Sequence, residues 1–141
     1  MTVSLAGAIA RVQALADTIT TIRLVPNYPP EKLAVVPAAL AYMGPGEWHC
    51  QASQKQWKGD IILEVLVGRN QPDLARAFEL LTGYAEDVAN QLENDPTLNG
   101  TCDAIMFPIR QEAPAMTQYG DLEYVMLRLA IPVACMNAIT V

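Results

Sequence analysis

The sequence predicts an α+β domain, an antiparallel or mixed β-sheet with two amphipathic helices packed on one face, in the order α-β-β-β-α-β-β. Three observations lead there. Two stretches, residues 4–18 and about 71–94, repeat apolar residues at alternating steps of four and three, the spacing of one helix stripe. Two others, Ile61–Val67 and Leu122–Val133, alternate with period two, as a strand with one buried face does. The strand-prone runs also fall in adjacent pairs, which favours hairpins over crossovers. A chain of 141 residues is long enough for one domain with one core, so residues 1–141 are read as a single unit.

Taken in order, Leu5, Ile9, Val12, Ala16 and Ile19 make the apolar stripe of the first helix, with Ser4 or Thr2 as its cap. Thr20–Val25 is β-prone and ends in the loop Pro26-Asn27-Tyr28-Pro29-Pro30. Leu33–Tyr42 is apolar but holds Pro37, which has no N–H to give a ladder, so it reads as an edge strand, a bulge or an irregular segment. Gly44-Pro45-Gly46 reads as a turn. From Glu47 to Gln56 the chain alternates Trp48, Cys50, Ala52 and Gln54 against His49, Gln51, Ser53 and Lys55, a polar hairpin arm. Lys58-Gly59-Asp60 then turns back into Ile61–Val67, a central strand with Glu64 on its outer face.

The second helix carries Leu74, Phe78, Leu81, Ala85, Val88 and Leu92 on its stripe. It is expected to begin near residue 71, with Asn70 or Gln71 as cap, Pro72 in the first turn and Asp73 favourable to the dipole. Asp95-Pro96 stops it, and Asn99-Gly100 supplies a tight turn of positive φ. Thr101–Arg110 places Ile105, Phe107 and Ile109 together, with Pro108 marking an edge or a bulge. Gln111–Gly120 is a connecting loop. In the last strand Val125, Leu127, Leu129, Ile131 and Val133 point inward, and Tyr124, Met126, Arg128 and Ala130 outward. With Ile62 and Leu66, that outer face is apolar enough to meet another subunit.

Composition narrows the function. Hydrophobic residues make up 52% and charged residues 17%, more apolar surface than a monomer of this size hides, which favours self-association. A net charge of −6 has the wrong sign for gripping phosphates, so a DNA-binding module is disfavoured. No apolar run reaches membrane-spanning length and no basic segment precedes the first apolar stretch, so a soluble cytoplasmic protein is expected. Cys50, Cys102 and Cys135 are widely spaced and read as free thiols.

Catalytic patterns are sparse. His49 and Cys50 are neighbours, but on a strand adjacent side chains point to opposite faces, so they cannot form a thiolate–imidazole pair locally. Ligand spacing for zinc, phosphate-binding glycine patterns and nucleophile elbows are absent, and no cofactor is expected. Glu79, Glu86, Asp87 and Glu93 form a solvated helix face. Trp48 and Trp57, at the two arm-ends of the polar hairpin, are either core residues or contact anchors.

Three stretches carry a resemblance: the N-terminal helix leading into TTIRLV, the second helix followed by DPTLNGTCDAI, and the final YGDLEYVMLRLAIPV. Together they span most of the chain, which resembles the tail terminator (tail completion) proteins of long-tailed bacteriophages. DPTLNGT, a helix stop with a tight turn into a strand, is the most distinctive; Pro26–Pro45 departs from the family's pattern at its middle hairpin. The resemblance implies a non-enzymatic virion protein of the tail and neck, assembled in the host cytoplasm. Such a protein forms a hexameric ring that caps the head-proximal end of the tail tube, ends its elongation and joins tail to head. Its partners are then its own copies, the tail tube protein, and a neck or head-completion protein, with no membrane. DNA passes through the lumen without specific binding, and an acidic lining would repel phosphates. A closed ring needs two different complementary surfaces on each subunit. The candidates are the polar hairpin with Trp48, Gln51, Lys55 and Trp57, and the outer face with Tyr124, Met126 and Arg128. Another neck ring protein, such as a head-completion or stopper protein, is the alternative, and a small α+β enzyme using Cys50 or Cys102, or a monomeric ligand-binding domain, is less favoured.

Overall fold

A computed structural model of the chain describes residues 3–19, 21–51, 53–68 and 74–138, with the side chains of Gln51, Asn137 and Ala138 outside that description. The first helix, α1 (Leu5–Asp17), starts where Ser4, in extended backbone, accepts a hydrogen bond from the Gly7 N–H at 3.0 Å. The alternative cap, Thr2, lies outside the described residues. The helix buries Ala8, Val12, Leu15 and Ala16, with Ile19 buried just beyond it and Leu5 and Ile9 packed at the margin. At its end the Thr18 hydroxyl donates to the Leu15 carbonyl.

The expected strand at Thr20–Val25 shrinks to a single parallel bridge, Leu24 to Ala38, flanked by hydrogen bonds from Arg23 N to Pro37 O and from Ala39 N to Leu24 O. Pro26, Pro29 and Pro30 follow at once and have no N–H with which to continue a ladder. Thr20 itself is outside the described residues.

Strands β1 (Ala38–Gln51) and β2 (Gln54–Gly68) form one long antiparallel hairpin. Gly44-Pro45-Gly46 is therefore not a turn but a bulge inside β1: Met43 faces Ile61 and Gly46 faces Gly59, so three steps on one strand oppose two on the other. Lys58-Gly59-Asp60 likewise runs straight through as strand. These glycines serve close approach. A Cβ at Gly59 would stand 2.5 Å from the Gly46 Cα, and one at Gly46 would stand 2.6 Å from the Trp57 ring. The extra residue also changes phase: Ala39 and Ala41 face the core before the bulge, while Gly46 and Trp48, opposite Gly59 and Trp57, take that face after it.

Helix α2 (Leu74–Glu93) buries Ala77, Leu81, Tyr84, Val88 and Leu92. The expected stripe is right in its second half and rotated in its first, since Leu74 and Phe78 are exposed while Ala77 takes the inward position. The expected start near residue 71, with Asn70, Gln71, Pro72 and Asp73, lies outside the described residues. Beyond the helix Leu98, Asn99 and Gly100 all have positive φ, one residue more than expected. Asp95 holds this turn: one carboxylate oxygen accepts the Asn99 N–H at 2.7 Å and the other the Arg11 Nε at 2.8 Å, tying the turn to α1.

The segment after it gives three short strands, β3 (Ala104–Ile105), β4 (Arg110–Gln111) and β5 (Ala115–Tyr119), before the long β6 (Leu122–Ala138). All three pair with β6, whose other edge pairs with β2 from Gly68↔Tyr124 to Gln54↔Ala138. The sheet is six-stranded and antiparallel, ordered β1-β2-β6 with the short strands along the far edge. Between β3 and β4 the chain leaves the ladder at Pro108, so Phe107 is turned out and 49% exposed instead of joining Ile105 and Ile109. The expected loop Gln111–Gly120 contains β5, joined to β6 by a two-residue turn in which Gly120 has φ 61°.

Both helices pack on one face of this sheet, and the fold is α+β. The inward residues of β2 (Trp57, Ile61, Leu63, Val65, Val67) and of β6 (Val125, Leu127, Leu129, Ile131, Val133, Cys135) join those of α1 and α2 in one core. A second, smaller cluster lies on the other face: Leu40, Leu66 and Tyr124 are buried there under Leu33, Val36, Tyr119 and Met126. The Tyr119 hydroxyl donates to the Pro30 carbonyl, fastening the proline-rich segment over that half of the outer face.

Candidate subunit interface

Strand β2 is 15 residues long, about 50 Å at strand rise, and its first five residues pair with the end of β1 on one side and the end of β6 on the other. This three-stranded arm carries the first set of expected contact residues. Trp48 and Trp57 are direct cross-strand partners, their ring centroids 6.5 Å apart and tilted by 55°. Trp57 is 2% exposed and belongs to the core, whereas Trp48 is 53% exposed. The Lys55 ammonium stands 5.7 Å from the Trp48 ring centroid, a cation–π distance that fixes both side chains at the tip. Gln51 ends β1, and its side chain lies outside the described residues.

The second set lies on the outer face, some way along the same strands. Tyr124 is buried in the smaller cluster and Met126 packs against it. Arg128 is half-exposed and reaches across to its cross-strand partner Glu64, with Nη2 and Nε at 2.7 and 3.0 Å from one carboxylate oxygen. Glu112 stands 3.9 Å from the same guanidinium. Glu64 is 8% exposed, so this pair neutralises a charge that would be costly alone. Its hydrogen bond to Glu64 holds the Arg128 guanidinium above its ordinary pKa. Tyr42 lies beside the pair, its hydroxyl pushed up to about 12 first by burial and then by the Glu64 charge. Nearby, Asp60 and Arg110 pair at 2.8 Å. Together with Pro45, Ile62 and Ala130 these charges line an open groove of about 510 Å³. The two sets of residues thus occupy different places on one subunit: the arm tip, and a half-covered outer face.

The chemistry available in these places is limited. His49 and Cys50 sit on opposite faces of β1, and the His49 ring is 3.4 Å from Glu47, two residues away on the same side. Cys102 and Cys135 are buried, and the neighbouring Cys135 together with burial pushes the Cys102 thiol up, which keeps it protonated and a poor nucleophile. Among the described residues no group of three or more His, Cys, Asp or Glu side chains could hold a metal ion. Nor is any of their helices long and apolar enough to cross a membrane.

Exposed apolar residues that the sequence reading did not single out stand near these surfaces: Met43 in β1, Met136 in β6, and Met106 between β3 and β4. Met43 and Met136 lie just past the points, Tyr42 and Val133, where the expected strands end, so no periodicity marked them. No known protein family matches the chain, and no curated protein matches it.

Proposed function

We propose that this chain is a structural subunit of a phage tail, forming a ring, hexameric by its resemblance to tail terminators, that caps the head-proximal end of the tail tube. Capping ends elongation and leaves a platform for the neck or head-completion protein, with DNA passing through the lumen. The observation that carries this reading is the arm, where Trp48 and Lys55 are presented on a stiff three-stranded blade. A half-exposed tryptophan beside an exposed strand suits a protein partner better than a small molecule. The α+β fold and the three resembling stretches support the same reading.

Within it the arm, with Trp48, Gln51 and Lys55, is one contact surface, and the outer face, with Met126 and the groove that holds Arg128, is another. Trp57 and Tyr124 act from beneath, since each is buried in its own subunit and holds the exposed residues above it in place. The acidic balance of −6 fits a channel that conducts DNA without holding it.

The experiment that tests the reading is negative-stain electron microscopy of the protein mixed with purified tails lacking their terminator. A cap at one end of tubes of fixed length is expected. Binding to DNA-filled heads instead of tails would overturn it in favour of a stopper or head-completion protein, and binding to neither would remove the phage reading altogether.

A further inference from the structure

Among the described residues, the two outer strands of the arm each leave one edge without a partner. On β1, Leu24 bonds at Ala38 and Ala39 and the Gln13 amide reaches the Ala41 carbonyl; beyond that, among the described residues, nothing pairs with the strand's outer side. On β6, β3 ends its pairing at Ala134, whose carbonyl also accepts the Asp103 N–H at 2.8 Å; beyond that, among the described residues, nothing pairs with Cys135–Ala138 on that side. An open edge is a row of unpaired N–H and C=O groups, and proteins that must stay monomeric blunt it with Pro, Lys or a bulge. Here the bulge and Pro45 come before the free stretch, and within Gly46–Gln51 Glu47 alone carries a full charge.

Three facts make the two edges partners for each other. They lie at one level of the sheet, since His49 faces Gln56 and Gln56 faces Met136. Both outer strands run the same way, because each is antiparallel to β2. They open to opposite sides, so a two-fold pairing of either edge leaves the other edge of both copies bare, whereas a head-to-tail repeat gives every edge a partner.

We infer that copies of this chain join edge to edge, the free end of β1 from one subunit pairing in parallel with the free end of β6 from the next. The arms then form a continuous sheet across the interface, and the exposed Trp48 and Met136 lie beside the new junction. This deepens the ring reading and rests on it for closure. Six copies would contribute about 18 strands, in the size range of barrels that leave an aqueous channel.

The test uses the full-length chain with Cys50→Ser to remove the exposed thiol, carrying either His49→Cys or Met136→Cys. Within one subunit these positions are separated by β2, about 9–10 Å across two strand spacings, too far for a disulfide. The two variants are mixed, oxidised with copper phenanthroline and run on non-reducing gels; Glu47→Cys, one pleat away on the same face of β1, replaces His49→Cys to catch a staggered register. A dimer band in the mixture that neither variant gives alone is expected. A strong dimer from His49→Cys alone would show a two-fold β1 pairing and overturn the inference, and so would rings seen by microscopy that never cross-link. Cross-linking without any binding to tails would uphold the edge pairing and refute the tail reading, so the two fail separately.

Discussion

Alanine at Gly59 and alanine at Gly83 are the same chemical change with opposite expected outcomes. At Gly59 the new methyl would stand 2.5 Å from the Gly46 Cα and 2.6 Å from the Pro45 carbonyl oxygen, against ordinary contact at about 3.5–4 Å. Both neighbours are backbone, so no rotamer change relieves the clash and the hairpin must open by roughly 1 Å at its bulge. Overpacking of this kind costs about 1–3 kcal/mol. At Gly83, inside α2, a Cβ meets nothing within 4 Å, and the better helix propensity of alanine stabilises by about 0.8–1 kcal/mol. A separation of about 2–4 kcal/mol between the two variants follows. For a chain of this length that is on the order of 10 °C in melting temperature. Thermal unfolding followed by circular dichroism, with urea midpoints as a second measure, reads it directly. Neither Gly46 nor Gly59 has positive φ, so backbone strain does not contribute to the loss. If Gly59→Ala melted at or above the wild-type temperature, the close approach of β1 and β2 at the bulge would be wrong, and Gly44–Gly46 would be the turn its composition first implies.

Three further outcomes are expected. Trp57→Ala should cost about 3–5 kcal/mol in urea unfolding, as a core truncation does, while Trp48→Ala stays within about 1 kcal/mol and acts on assembly instead. Equal losses from the two would refute the assignment of one ring to the core and one to the surface. Tyr42 titrates at about 12 when folded against 10.0 when exposed, so the unfolded state loses its proton first. Its contribution is present below pH 10 and declines between about pH 10 and 12; Tyr42→Phe should flatten the fall in stability over that window, and an unchanged profile would contradict the placement beside Glu64. Labelling native protein with a thiol reagent should modify Cys50 alone, Cys102 and Cys135 reacting only after denaturation. Rapid labelling of Cys102 would revive the enzyme reading.

Local pattern was enough wherever one residue type served one purpose. The alternation in Ile61–Val67 and Leu122–Val133 names the inward residues of those two stretches, though not Trp57 and Cys135 farther out on β2 and β6, and Ser4 caps α1 as its side chain requires. It failed where the same residues suit two structures. Gly-Pro-Gly is compatible with a reversing turn and with a bulge against another glycine, and the choice rests on Gly59 and Trp57, 13 and 11 residues beyond Gly46 in sequence but in contact with it. Phe78 and Ala77 exchanged roles because a four-three stripe over 20 residues leaves its rotation to the sheet beneath. On the outer face, Tyr124 points where alternation puts it, yet is buried, because Leu33 and Val36 reach over from a segment with no period of its own. Trp48 and Lys55 were legible as contact candidates but not as neighbours, since alternation set them on opposite faces of one arm, whereas the chain reverses between Gln51 and Gln54; the open ends of β1 and β6 beside them were not legible, since an unpaired edge is a property of the whole sheet order.

The bulge at Gly44–Gly46 divides the hairpin into two reading frames. Below it, odd-numbered residues of β1 face the helices; above it, even-numbered ones do. Loss of one residue from this segment would remove the bulge: two steps would then oppose two, Gly46 would still meet Gly59, and Trp48 would keep its face of the arm. A residue added to β1 beyond Gly46, unless a second bulge absorbed it, would turn the rest of the strand over and carry Trp48 to the far side of the arm.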